Sequence, residues 1–138
     1  MIRYLLDTNV VSEIRKPNRD AAVSTWFADV ESREIFLSVL VVGEIRQGID
    51  RLRRRRDRKQ ADVIEKWLLQ LKDDFSERLL PVSLRVAERW GRLNATRPLP
   101  VVDGLLAATA IEYELTLVTR ESRAFADSGA RLLDPWRA

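Results

Sequence analysis

Three carboxylates occupy places where a packed protein would prefer something apolar: Asp7, Glu44 and Asp103. Asp7 follows Leu5 and Leu6, and the alternation of a strand puts it on the same side as Leu5. Glu44 lies four residues after Leu40, three after Val41 and four before Gly48, beside an apolar helical stripe. Asp103 precedes Leu106, Ala107, Ala110 and Ile111 at helical spacing, so it belongs to the buried face of a helix, in its first turn. Buried carboxylates near one another are costly unless something positive neutralises them. The chain has no histidine, and no lysine stands obviously close to any of the three. A hard divalent cation is the natural counter-charge. Mg²⁺ takes oxygen ligands, keeps several waters and usually binds through one or two carboxylates. A site of that kind activates water and stabilises charge on a phosphate, which is the chemistry of metal-dependent nucleases.

Each acid also has a purely structural alternative. Asp7 can end its strand by accepting from the amides of the next turn. Glu44 can pair with an arginine across a helix interface. Asp103 can cap the helix that begins there, which is compatible with a ligand role because a helix N-terminus favours the ionised carboxylate. Composition narrows the chemistry further. Without cysteine there are no disulfides, zinc–thiolate sites or iron–sulfur clusters, and without histidine there is no Ser-His-Asp triad or Cys-His dyad.

The elements that must position these acids are short apolar strands alternating with helices. Residues 3–6 read as a strand, with Thr8 or Asn9 capping a brief helix that Lys16-Pro17-Asn18 breaks. Ala22, Val23, Trp26, Phe27 and Val30 give a second helix an apolar face. A strand is expected over 35–37, with Ser38 capping a helix from Val39 to about Arg53. A charged helix spans about Lys59 to Phe75, and 79–82 form a third strand. Ser83 caps a helix that ends before Arg97-Pro98-Leu99-Pro100. Asp103 to Tyr113 is an alanine-rich helix, with strands over 116–119 and 131–133. The pattern predicts an α/β fold with a mostly parallel sheet covered on both faces. In such folds ligands bind beyond the carboxyl ends of the strands, where Asp7 stands. The length of 138 residues suits one domain, and no linker or repeat divides 1–138.

The formal net charge is +3, but arginine is clustered: Arg46 to Lys59 reads RQGIDRLRRRRDRK. Such a run either contacts a polyanion or is a solvated helix end. The opening apolar run is too short for a signal peptide or a membrane span, so a cytoplasmic protein with no membrane role is expected.

Taken in order, LLDTNVVSE at 5–13, GEIRQG at 43–48, DGLLAATA at 103–110 and LVTR at 117–120 resemble the PIN-domain nucleases. More closely they resemble the VapC-type toxins of bacterial type II toxin–antitoxin systems, and the likeness runs from Ile2 to about Trp136. The resemblance implies a PIN-like three-layer sandwich, with a mostly parallel sheet of four or five strands flanked by helices. It implies Asp7 and Asp103 as principal ligands of Mg²⁺ or Mn²⁺, with Glu44 completing the cluster directly or through water. Asn9, Ser38 and Thr119 would support the site by hydrogen bonds. The implied reaction is hydrolysis of an RNA phosphodiester by a metal-activated water. The implied partners are a cognate antitoxin, operator DNA reached only through that antitoxin, and a second copy of the chain in a homodimer. Apolar faces carrying Ile45, Ile49, Leu52, Val86 and Trp90 serve either such interfaces or the core. Arg53, Arg54, Arg55 and Arg56 are the candidates for RNA or partner contact.

One segment departs from the family pattern. Where the family often reads T-R-N-x-x-D-F, this chain has Thr119-Arg120-Glu121-Ser122-Arg123-Ala124-Phe125. The aspartate position holds Ala124, which leaves the number of metal ions open. Glu121, at the asparagine position, is either a fourth catalytic carboxylate of longer reach or a surface acid. Two other readings compete. A PIN-fold binding module, acting mainly in an antitoxin-assisted DNA-binding complex, would tolerate Asp7→Asn and Asp103→Asn but not loss of its arginines. A phosphatase using Asp7 as nucleophile, as in the haloacid-dehalogenase family, would want a second aspartate where Asn9 stands.

Overall fold

The computed structural model describes residues 1–138. Five strands form one parallel sheet: β1 (Tyr4–Leu6), β2 (Ile35–Ser38), β3 (Leu79–Leu80), β4 (Thr116–Val118) and β5 (Arg131–Leu133), in the order β3-β2-β1-β4-β5. The central strands are apolar on both faces: Leu5, Leu6, Leu37, Leu117 and Val118 are all buried. That is the signature of a parallel sheet sandwiched between helices. β1 lies at the centre, with β2 and β3 added on one side and β4 and β5 on the other. The direction of strand addition therefore reverses at β1, and a crevice opens at the carboxyl ends of β1 and β4.

Six helices complete the fold: α1 (Thr8–Arg15), α2 (Ala21–Asp29), α3 (Val39–Arg54), α4 (Arg58–Asp74), α5 (Leu84–Thr96) and α6 (Val101–Glu112). α1 to α4 pack among themselves, while α5 and α6 pair as a hairpin. The chain crosses one way from β1 to β3 and back from β3 to β4, so right-handed crossovers place the two groups on opposite faces, making three layers. Serine or aspartate caps start five of the helices: Asp7, Asp20, Ser38, Asp57 and Ser83. The sixth, α6, starts behind Pro100 with no side-chain cap. Ser38 and Ser83 act as the sequence predicts. The cap of α1 is Asp7 rather than Thr8 or Asn9, because the chain turns into the helix directly at the strand end.

Ile45, Ile49 and Val86 are buried in the core, whereas Leu52 and Trp90 are half-buried. Trp26 seals one end of β1, its ring edge-on to Tyr4 at 5.3 Å. No helix is long and apolar enough to cross a membrane.

Candidate active site

Asp7 stands where β1 ends and α1 begins. Its backbone N–H donates to the Val118 carbonyl at 3.1 Å, tying the end of β1 to the end of β4. Its Oδ1 accepts from the Val10 amide at 3.0 Å. So the turn-amide role open to it in the sequence is real, yet it uses only part of the carboxylate's acceptor capacity. The residue is 7% exposed. Burial pushes its carboxyl above the ordinary carboxylate range, and the neighbouring Asp103 pushes the same way. Hydrogen bonds from the Thr119 hydroxyl and from the Val10 and Asn9 amides act in the opposite direction and lose.

Asp103 is the third residue of α6, in its first turn, with the helix N-cap at Pro100. It is therefore not the cap. Its carboxyl is also held above the ordinary range, by burial first and then by Glu44 and Glu121. Glu44, in the second turn of α3, is half-buried and makes no ion pair; instead the Thr8 hydroxyl donates to its Oε1 at 2.5 Å. Glu121 is exposed, and its backbone N–H donates to Thr119 Oγ1 at 2.9 Å. Asp103 thus joins acids from four segments: its charge acts on Asp7, and those of Glu44 and Glu121 act on it. None of the ten ion pairs of the protein includes any of them. No lysine or arginine appears among the charges to which Asp7 or Asp103 responds.

The supporting residues differ in kind. Thr119 is fully buried and accepts from Glu121 while its hydroxyl favours ionised Asp7. Ser38 is fully buried and caps α3 through the Leu40 amide, which fixes the helix that carries Glu44. Asn9 is exposed, and its backbone amide favours ionised Asp7. Sequence reasoning offers Thr8 only as a helix cap and misses its bond to Glu44, since that partner lies 36 residues away; the one signal is a hydroxyl directly after Asp7. Gly104 also escaped notice. A Cβ there would lie 2.9 Å from Trp90 Cδ1, so glycine is what lets α5 close against α6 next to Asp103.

The arginine run is split by the fold. Arg53 turns back to α4, where it meets Asp62 at 2.9 Å and Glu65 at 3.3 Å. Arg46 adds a bidentate pair to the same Glu65. Arg54, Arg55 and Arg56 are exposed and take part in none of the ion pairs. They lie at the far end of α3, roughly 15 Å along the axis from Glu44 at 1.5 Å per residue.

The oxygen donors suit a hard divalent cation. No three acidic side chains close around one point to make a ready cage.

Residues 4–129 match the family model described as PIN domain. The chain belongs to the PIN-domain family. Among its relatives, Toxin FitB of Neisseria gonorrhoeae is 30% identical over 138 residues, 96% of this chain and 97% of that one. A VapC ribonuclease of Sinorhizobium fredii is 28% identical, covering 96% of each chain. Among solved structures, FitAcB from Neisseria gonorrhoeae aligns with a TM-score of 0.88 at 29% identity, over 98% of this chain and 99% of that one. FitAB bound to a DNA fragment aligns at 0.85 and 28% identity, over 96% and 95%. The PIN-domain sheet and its flanking helices are thus shared along nearly the whole chain.

Proposed function

We propose that this PIN-domain protein is a Mg²⁺-dependent endoribonuclease and the toxin of a type II toxin–antitoxin system. The observation that carries the reading is the buried Asp7 carboxylate at the end of β1. It responds to the charge of Asp103, and no cationic side chain offsets either. Asp7 and Asp103 would hold Mg²⁺, or Mn²⁺ in its place, with Glu44 and Glu121 engaged through water. When bound, the ion would supply a Lewis acid for the scissile phosphate and lower the pKa of a water. The remaining work falls to the chain. Val10 N–H and Thr119 fix the Asp7 carboxylate. Thr8 orients Glu44, leaving its other oxygen to receive a proton or hold a water. The names of the relatives, a toxin and a ribonuclease, support the toxin and RNA parts of the reading. A cognate antitoxin, operator DNA contacted through it, and a homodimer follow from the same reading.

The test is cleavage of a mixed tRNA and structured-RNA pool by protein freed of antitoxin, with Mg²⁺, with Mn²⁺ and with chelator. Asn caps a helix as well as Asp does, so Asp7→Asn keeps α1 in place. It should lose at least the roughly hundredfold in rate that even an outer-shell partner of a metal site can cost. Cutting that persists in chelator and in Asp7→Asn would sink the metal–carboxylate reading.

A second reading is favoured by the FitAB structure solved with DNA. On it the chain works mainly as the toxin half of a DNA-binding repressor, with little or no cleavage. Repression that survives Asp7→Asn in a protein that cuts no RNA would select it.

A further inference from the structure

A cleft of about 480 Å³ opens between the C-terminal half of α5 and the turns that follow β4. None of the four clustered acids lines it, but the segments that do lead to two of them. Leu99, on one side, leads through Pro100 into the helix of Asp103, and Arg123 and Ala124, on the other, follow Glu121 within one turn. Its rim is arginine: Arg89, Arg92, Arg97 and Arg123, with Asp127 the one carboxylate in the lining. Arg85 stands four residues before Arg89, and Arg92 three after, so α5 presents these three on one face.

The charge on this face is only partly met. Arg85 and Arg89 share a single carboxylate, Glu112, at 3.4 and 3.1 Å. Arg97 pairs with Asp127 at 2.8 Å. Arg92 has only Glu88, at 3.6 Å in an exposed pair that contributes little. Arg123 is exposed and enters no ion pair. Five guanidiniums therefore face three carboxylates, and Leu93 and Leu99 give the cleft an apolar floor on which a ribose or base can lie.

We propose that this cleft is the subsite for the RNA strand flanking the cut bond, with Arg92 and Arg123 as its phosphate contacts. The proposal rests on the nuclease reading and deepens it. An RNA strand fits better than an acidic peptide because the lining segments lead directly to Asp103 and Glu121, beside which a phosphodiester would be cut, and the apolar floor offers a surface to a base. Arg54 and Arg55, which the sequence also offers for RNA or partner contact, lie a helix length away on α3 and are the rival surface; on this proposal they contact no RNA.

The experiment is anisotropy of a labelled single-stranded oligoribonucleotide with the full chain, in an Asp7→Asn background with Mg²⁺, across a salt series. The Arg92→Ala/Arg123→Ala protein should bind roughly tenfold more weakly, as expected for lost phosphate contacts. Its salt slope should be shallower by about 1.4, at roughly 0.7 per phosphate contact on a single strand. Arg54→Ala/Arg55→Ala should change neither. Unchanged affinity and slope in the cleft variant would overturn the proposal, as would an equal loss in the α3 variant. Loss of polyglutamate binding with RNA binding intact would overturn it too, assigning the cleft to an acidic protein segment. If the parent protein cuts no RNA but its RNA binding depends on the cleft, the nuclease reading falls and the strand subsite stands.

Discussion

A carboxylate in the first turn of a helix is normally a stabilising feature, since the helix N-terminus favours negative charge. Asp103 has that position, yet burial, Glu44 and Glu121 together lift its pKa above the ordinary 3.8. Burial, with the repulsion added to it, outweighs the helix end, and the sign has a consequence for stability. A raised folded pKa contributes stability that is fully present below about pH 3.8 and lost as pH rises through the folded value. At neutral pH in chelator, Asp103→Asn should therefore melt at a higher temperature than the parent. The advantage should vanish near pH 3.8 and should shrink when Mg²⁺ is added to the parent. Thermal melts at three pH values would check it, and a lower melting temperature for the variant at neutral pH would contradict the charge crowding. At this scale the sequence was informative for Asp7 and Asp103, because a strand end and a helical period locate them. It was silent on what Glu44 meets, since Thr8 reaches it across 36 residues.

At the scale of elements, α5 and α6 are held close by the absence of one side chain. A methyl at residue 104 would press on the Trp90 ring at 2.9 Å, so Gly104→Ala should cost about 1–3 kcal/mol, the usual range for overpacking. It should also slow any cleavage by tilting Asp103. Trp90 Nε1 is buried without a partner, so Trp90→Phe removes an unsatisfied donor and a crowded atom together. In a urea-unfolding cycle the double variant should be less destabilised than the two single changes add up to; simple additivity would mean that the two groups do not press on each other. The α3–α4 pair is held differently, by Arg46 and Arg53 on Glu65, whose carboxyl is pulled down from 4.5 to about 2. A depressed pKa gives stability present above pH 4.5 and lost as pH falls toward 2. Glu65→Gln should thus weaken the fold at pH 7, less so in 1 M salt, and not at pH 2. A deficit that is independent of salt would point to packing instead. These cross-helix pairings explain why the arginine run looked uniform in sequence: its sorting depends on Asp62 and Glu65, which only folding brings opposite. The α5 arginines stand at i, i+4 and i+7 yet were passed over in the sequence, because what gives them meaning is their junction with Arg123, and the two segments meet only in the tertiary structure.

The whole molecule places uncompensated acids at the crevice between β1 and β4 and surplus arginine around it. An ion that binds the folded chain and not the unfolded one stabilises it by mass action. Raising Mg²⁺ should therefore lift the melting temperature, and chelator should lower it, with the response abolished in Asp7→Asn. A melting temperature indifferent to Mg²⁺, Mn²⁺ and chelator would remove the metal from the account. The alternation of strand and helix was enough to anticipate the layered parallel sheet and the place of Asp7 in it. Boundaries shifted where proline or a strand end intervened, as when α6 began at Val101 behind Pro100 rather than at Asp103. The strand order carries a further meaning for the cell that synthesises this chain. β1 emerges first from the ribosome, but its neighbour β4, with Thr119 behind it and Asp103 on the helix before it, emerges near the end. Until then Asp7 and Glu44 have no opposite wall. A nascent or prematurely terminated chain therefore lacks the assembled acidic cluster, and whatever chemistry that cluster performs begins only when the protein is nearly complete.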